Sequence, residues 1–251
     1  MAIAPPATQS PGWLAASEAL LGGLEPATQS RLASYRDLLL AWNQRFNLTA
    51  LRSAQEIDSR LILESMRLVA LIRECAEHAA KGATVVDIGS GAGIPGLPIS
   101  ILCPALDVTM VEATGKKARF IGEVIEQLEL LNAQTIHDRA EDLAHRAGYR
   151  ESFDIAVARA VGSLSTLLEL SMPFLRPGGR AFFPKGALEE AENSQARSAA
   201  RLLGATIAEV VALPEIDGCP FTQVVIADRI EGIPARYPRR AGIPAREPLG
   251  G

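Results

Sequence analysis

The spacing of hydrophobic positions changes along the chain. From Pro26 to Phe46 apolar residues recur every three or four positions, which predicts an amphipathic helix, and a second helix follows at about 54–79. Beyond residue 82, short β-type runs alternate with helical stretches, which predicts a parallel sheet with helices on both faces. The predicted strands are 83–88, 107–112, 133–137, 153–157 and 180–184, and the helices lie near 95–103, 116–131, 140–147, 163–175 and 187–203.

The same pattern divides the chain into four segments. Residues 1–12 are rich in Pro, Ala, Ser and Gln and are predicted to be disordered. A helical extension occupies 13–82, an α/β domain 83–230, and a basic tail rich in Pro, Gly and Arg 231–251. Two further strands, at about 206–213 and 221–228, follow the last helix, so we expect an antiparallel strand at one edge of the sheet.

Composition narrows the class of protein. The chain has 251 residues, 48% of them hydrophobic, but no run of 18 apolar residues that would span a membrane. A secretion signal has basic residues before its apolar run, and the stretch Met1–Gly23 has none there. Cys75, Cys103 and Cys219 match no disulfide or metal spacing. We therefore expect a cytoplasmic protein without a bound metal.

Charge is unevenly distributed. The net charge of −4 at first argues against a nucleic-acid partner, but residues 83–228 carry −7 and residues 229–251 carry +3. An acidic centre with a basic tail suits a protein that holds a small cation and contacts an anionic polymer. Plain solubility explains the same charges.

The most informative segment is a glycine-rich turn, Gly89–Gly96, that follows the first strand. Open α/β sheets bind cofactors at this place. The spacing of Gly91, Gly93 and Gly96 fits the dinucleotide fingerprint, so a dehydrogenase is an alternative. However, Asp87 at the strand end would repel a pyrophosphate, whereas it would attract the ammonium and sulfonium groups of S-adenosylmethionine. The carboxylate favours S-adenosylmethionine as the cofactor.

A second acid strengthens this interpretation. Glu112 ends the second strand, where a carboxylate can accept hydrogen bonds from both ribose hydroxyls, although dinucleotide folds use the same contact. The polar segment 139–142 after the third strand lies where the edge of an adenine would be. Alternatively, Asp87 and Glu112 are ordinary polar residues at strand ends.

Seven segments of the chain match a known family: 42–50, 87–98, 112–113 with 116–117, 139–141, 158–161, 184–186 and 236–244. The most specific are Asn-Leu-Thr-Ala at 47–50 and Tyr-Pro-Arg-Arg at 237–240. On these segments the chain, from about Trp42 to Leu249, resembles the 16S ribosomal RNA small-subunit methyltransferase G family. The resemblance implies a class I methyltransferase sheet with an N-terminal helical extension and methylation of guanine N7. It also implies cofactor contacts at Gly89, Ile94, Ala140, Glu141 and Arg159. One departure is Leu61, where family members often have His.

The chemistry of the resemblance agrees with the residues. N7 of guanine already carries a lone pair, so its methylation needs no general base, and the sequence offers no obvious one. After the fourth strand the chain reads Ala158-Arg159-Ala160, which differs from the Asn/Asp-Pro-Pro-aromatic loop of amine methylation. Neither Cys103 nor Cys219 follows that strand, as C5-pyrimidine chemistry would require. Arg159 is the candidate catalytic residue, holding guanine O6, a phosphate or the cofactor carboxylate; a salt bridge to Asp154 or a neighbouring acid is the alternative.

Basic residues predict the RNA contacts. The candidates are Lys116, Lys117, Lys185, Arg239 and Arg240, which can bind phosphates or simply form a solvated surface. We expect a monomeric enzyme that uses S-adenosylmethionine to methylate 16S ribosomal RNA. The substrate is either the free RNA or the RNA within the small ribosomal subunit. A small-molecule methyltransferase and a non-catalytic RNA-binding module that retains the cofactor pocket are the alternatives.

Overall fold

A computed structural model describes residues 13–76, 82–159 and 162–251. These residues form a seven-stranded sheet in the order β3-β2-β1-β4-β5-β7-β6. The strands are β1 Thr84–Ile88, β2 Asp107–Glu112, β3 Ala133–His137, β4 Phe153–Ala158, β5 Leu175–Lys185, β6 Ala205–Ala212 and β7 Gln223–Arg229.

One strand in this described sheet, β7, runs antiparallel to its neighbours, as expected, but it does not lie at the edge. The chain crosses from β5 through a helix to β6, which takes the outer position. It then returns as β7 in the gap between β5 and β6. Position in the sheet depends on this long-range crossover, which the local sequence pattern does not contain.

Helices cover both faces of the sheet. The predicted helix Pro26–Phe46 (α2) has the expected bounds, whereas the predicted helix 54–79 is broken by a π-helical turn, Asp58–Ile62. The other helices are α1 Trp13–Leu21, α3 Ala54–Ile57, α4 Leu63–Ala76, α5 Gly96–Leu102, α6 Gly115–Gln127, α7 Ala140–Leu143, α8 Leu164–Ser171, α9 Glu190–Leu202 and α10 Ile243–Arg246, with a 3₁₀ turn at Met172–Phe174.

Alternation along β1 separates two hydrophobic cores. Val85 belongs to a core that also contains Leu32 and Tyr35 of α2, so the N-terminal helices share a core with the sheet. Val86 and Ile88 belong to the opposite core, which includes residues of α8 and α9. The helical extension is therefore one layer of the fold.

The tail is packed as well. Ile233 and Tyr237 are buried in the core on the α8 side of the sheet. Arg150 donates from Nη1 to the carbonyl of Tyr237 at 2.8 Å, and the His145 ring contacts the carbonyl of Pro238 at 2.9 Å. The predicted tail 231–251 thus continues the fold. The segment predicted to be disordered, 1–12, lies outside the described residues.

Membrane-spanning helices and metal-ligand clusters are both absent from the described residues. Within the described ranges, no helix is long and apolar enough to cross a membrane. In the same part of the chain, no three His, Cys, Asp or Glu side chains converge as metal ligands would. Cys103 and Cys219 are present as thiols.

Candidate active site

The carboxyl ends of β2, β1 and β4 lie side by side, and the glycine-rich turn follows β1 at this edge. Gly89, Gly91 and Gly93 have φ angles of 70°, 59° and 80°, which favour glycine. At Gly96 an added Cβ would lie 2.5 Å from Cγ of Met110 and 2.7 Å from Oδ2 of Asp87. The absence of a side chain there lets α5 begin directly against β1 and β2.

Glu112 ties the turn to the end of β2. Its Oε2 accepts a hydrogen bond from the Gly91 amide at 2.8 Å, and its Oε1 accepts one from the Thr114 amide at 2.7 Å. A carboxylate offers about four acceptor sites, so two bound amides leave acceptor capacity for ribose hydroxyls. The predicted ribose contact of Glu112 remains compatible with this geometry.

Asp87 lies beneath the turn and is fully buried. Its Oδ2 accepts a hydrogen bond from the Gly96 amide at 2.9 Å, so the side chain holds the start of α5. Its Oδ1 has no hydrogen-bond partner among the described residues. Burial raises the pKa of this carboxyl to about 7. The protein encloses the Asp87 side chain, so the contact predicted between Asp87 and a cofactor stays a prediction.

A cavity of about 200 Å³ opens beside the turn, on the α8 face of the sheet. Among its lining are Gly89, Ala140 and Glu141, three of the residues predicted to bind the cofactor. Its apolar walls suit a flat aromatic base, and Asp138 and Glu141 supply polar groups at its border. The apolar lining residues include Ile88, Val111, Leu170 and Pro244. The lining does not include Ile94, another predicted cofactor contact, which is buried in the turn.

A larger groove, of about 560 Å³, lies at the opposite edge of the sheet. Thr84 and Asp107, the first residues of β1 and β2, line it together with Phe153 at the start of β4. It is therefore separated from the glycine turn by the full length of the strands.

Arg159 follows β4 and forms an ion pair. Its Nη2 lies 2.7 Å from Oε2 of Glu64 in α4, and the same nitrogen donates to the carbonyl of Arg60 at 3.3 Å. Among the described residues, no donor is aligned for a hydrogen bond to Glu64 Oε2, so this contact is mainly electrostatic. The salt bridge given as the alternative role of Arg159 is therefore present, with Glu64 as the partner, whereas Asp154 pairs with Arg176.

Two polar residues near the turn were not among the predicted site residues. Glu64 is buried, and its Oε1 accepts a hydrogen bond from the Thr222 hydroxyl at 3.4 Å. Tyr35, interpreted only as part of a helix face, donates from its hydroxyl to the Ala92 carbonyl at 2.9 Å. Burial raises the pKa of Tyr35, which keeps the hydroxyl protonated as a donor. The segment 61–66, where the chain departs from its family, was the available signal for Glu64.

The predicted RNA contacts fall into two groups. Lys116 and Arg240 are exposed and Lys117 is half-buried. Lys185 instead pairs with Glu192, with Nζ 2.5 Å from Oε1. Arg239 pairs with fully buried Glu169, with Nη2 2.7 Å from Oε2. Lys185 and Arg239 therefore neutralise carboxylates of the fold, and their contact with RNA stays a prediction.

The strand order and the glycine turn are those of the class I methyltransferase fold, and solved structures agree on the fold. The chain superposes on a CurJ carbon methyltransferase with a TM-score of 0.54 and 15% identity, covering 91% of this chain and 72% of the other. It superposes on M. jannaschii TYW2 in complex with AdoMet with a TM-score of 0.50 and 17% identity, covering 66% and 77%.

Sequence comparison identifies the family. The model for rRNA small subunit methyltransferase G matches residues 28–217. Proteins named ribosomal RNA small subunit methyltransferase G are 42% identical in Chloroflexus aggregans, over 86% of this chain and 87% of the relative, and 40% identical in Roseiflexus castenholzii, over 87% and 91%. The chain belongs to this family and is a methyltransferase that uses S-adenosylmethionine, which confirms the predicted resemblance, fold class and cofactor.

The site fits this cofactor. The cavity offers apolar walls for adenine, and the acceptor capacity of Glu112 is suited to a ribose. The unpartnered Oδ1 of Asp87 lies beneath the turn, where a positive group of the methionine end would favour the ionised form of this carboxyl.

Because the pKa of Asp87 is raised, we expect the free energy of unfolding to depend on pH. The folded state holds a proton up to about pH 7 that the unfolded state releases near the ordinary value of 3.8, so unfolding free energy falls as pH rises through that window. Asp87→Asn keeps an acceptor for the Gly96 amide and does not titrate. Relative to wild type, we expect the variant to gain about 2–3 kcal/mol between pH 5 and pH 8 in urea unfolding. A difference that stays constant with pH would contradict the assignment.

Proposed function

We propose that this enzyme transfers the methyl group of S-adenosylmethionine to N7 of a guanine in 16S ribosomal RNA. The observation that carries the proposal is the Glu64–Arg159 pair, which holds a guanidinium at the end of β4, beside the glycine-rich turn. The chain's membership in the methyltransferase family gives this arrangement its meaning. N7 attacks with its own lone pair, so the site must orient the base and need not remove a proton. The sulfonium–methyl bond breaks as the N7–methyl bond forms.

Arg159 is suited to orient guanine. Its contacts within the described chain are made by Nη2, which leaves Nε–H and Nη1–H as donors for an acceptor such as guanine O6. The side chain is 24% exposed, so a ligand can reach it. We propose that Glu64 fixes the guanidinium and that Arg159 holds O6, which leaves N7 to meet the methyl group.

The RNA would approach over the carboxyl edge of the sheet. Lys116 and Lys117 begin α6 just after Glu112, and Arg240 lies two residues from Gly242 of the cavity lining. Ala113 and Gly242, which lie two to four residues from these side chains in sequence, line the cavity. We propose that these basic side chains bind phosphates around the target guanine.

We further propose that the enzyme acts in the cytoplasm, where its ribosomal substrate is made.

The direct test of this function is transfer of labelled methyl from S-adenosylmethionine to small-subunit RNA from a strain that lacks the gene. The RNA is offered both naked and within the subunit, and the product nucleoside is identified by mass spectrometry. We expect 7-methylguanosine. Intact cofactor binding without transfer to either form would reject the proposal and favour a small-molecule or a non-catalytic role.

Substitution of Arg159 separates orientation from cofactor binding. We expect Arg159→Ala to lower kcat on RNA by about 100-fold or more, because orientation is a large part of the barrier. S-adenosylhomocysteine should still bind within a few-fold of wild type. Glu64→Gln, which keeps size but removes the charge, should give a smaller loss of kcat.

Arg176→Ala is the matched control, because Arg176 also pairs with a carboxylate, Asp154, but at the other edge of the sheet. It should leave kcat unchanged. Wild-type turnover by Arg159→Ala would remove Arg159 from the mechanism. A large loss of S-adenosylhomocysteine affinity in that variant would assign Arg159 to the cofactor carboxylate instead of guanine.

Salt dependence tests the proposed phosphate contacts. We expect the double variant Lys117→Gln, Arg240→Gln to bind RNAs of every sequence more weakly. The magnitude of the slope of log affinity against log salt concentration should decrease by about 2. Arg201→Gln, at the far end of α9, is the control and should leave the slope unchanged. An unchanged slope in the double variant would place RNA on another surface.

A further inference from the structure

The C-terminal segment 236–247 contacts the border of the cavity at three points. The Gly242 amide donates to Oε1 of Glu141 at 2.8 Å. The Thr166 hydroxyl donates to the carbonyl of Pro244 at 2.9 Å. Between these contacts and the preceding strand, Arg239 binds Glu169 of α8. The segment is therefore fixed to both α7 and α8, the two helices beside the cavity.

The Arg239–Glu169 pair is the strongest of these contacts. Glu169 is fully buried, and its two oxygens accept hydrogen bonds from the Arg239 guanidinium at 2.9 Å and 2.7 Å, while Oε1 also accepts from the Arg239 amide at 2.8 Å. Breaking a buried ion pair leaves an uncompensated charge, which strongly disfavours the separated state. Burial of Glu169 therefore requires that the segment stay docked at Arg239.

Docking at Arg239 determines where the following residues lie. Gly242, Pro244 and Ala245 line the cavity on the side opposite the end of β1, and Asp138–Glu141 form the side after β3. Pro244 is buried and presents an apolar surface near Leu170 of the same lining. The C-terminal segment thus completes a slot between two chain segments about a hundred residues apart in sequence.

We propose that the C-terminal segment is a wall of the adenosine pocket, and that Arg239 and Glu169 are positioning residues that set affinity for the adenosine half of the cofactor. This rests on the cofactor site described above. Glu141 connects the two, because one oxygen holds the Gly242 amide while the other oxygen is left for a polar edge of the base. A tail that the sequence suggested for RNA then serves the cofactor.

The test measures ligand binding by calorimetry in the full chain without RNA. The probes are S-adenosylhomocysteine and 5′-methylthioadenosine, which share the adenosine but not the amino-acid end. We expect Glu169→Gln to weaken both ligands by about 10-fold, because the adenosine wall is loosened. The control Asp228→Asn breaks another arginine–carboxylate pair, more exposed and away from the cavity, in which Arg180 Nε lies 2.6 Å from Oδ1, and it should leave both affinities unchanged.

A second variant avoids any effect of the buried charge. Gly242 has a φ of 82° and open space around an added Cβ, so Gly242→Ala strains the segment without a clash. Gly178→Ala is its control, with a φ of 81° and the same open space at the far edge of β5. We expect weaker adenosine binding for Gly242→Ala than for Gly178→Ala.

The outcomes separate this proposal from the proposed function. Affinities within twofold of wild type in both Glu169→Gln and Gly242→Ala would overturn the pocket wall and leave RNA methylation untouched. Loss of affinity for S-adenosylhomocysteine with unchanged affinity for 5′-methylthioadenosine would also overturn it, because the wall faces the adenosine. Weakened binding of both ligands supports the wall even if the RNA assay fails.

Discussion

Two buried carboxylates, Asp87 and Glu112, hold the glycine-rich turn at the edge of the sheet, and the site depends on them. Each accepts a hydrogen bond from a main-chain amide of the turn, Asp87 from Gly96 and Glu112 from Gly91. The turn lacks side chains where α5 meets β1 and β2, so the backbone can come this close. Glu112 also keeps acceptor capacity that suits the hydroxyls of a ribose. The residue that anchors the turn is therefore also suited to hold part of the cofactor.

The segments outside the sheet complete the site through two further charged pairs. The N-terminal helices contribute Glu64, which binds Arg159 at the end of β4. The C-terminal segment contributes Arg239, which binds Glu169 beside the cavity. Tyr35 adds a direct hydrogen bond from α2 to the turn. Both extensions thus contact the region around the cavity, and the sheet alone would lack the partner of Arg159 and the C-terminal residues that line the cavity.

Much of the fold could be predicted from the sequence because the signals are local. Helix α2 and the first four strands follow from hydrophobic spacing, and the turn from its glycines and Asp87. The position of β7, the partner of Arg159 and the docking of the tail could not be predicted, because each depends on residues distant in sequence. Arg239 and Glu169 are 70 residues apart, and nothing near Arg239 shows that it neutralises a buried acid. Charge alone therefore does not reveal that Arg239 and Lys185 each pair with a carboxylate of the fold.

The central claim is that the cofactor lies across the carboxyl ends of β1 and β2, with its ribose on Glu112 and its adenine in the cavity. A crystal structure of the complex with S-adenosylhomocysteine tests this most directly. The account predicts both ribose hydroxyls within hydrogen-bond distance of the Glu112 carboxylate and the adenine between Ala140 and Pro244. A ribose held elsewhere, or an adenine outside the cavity that Pro244 lines, would contradict it.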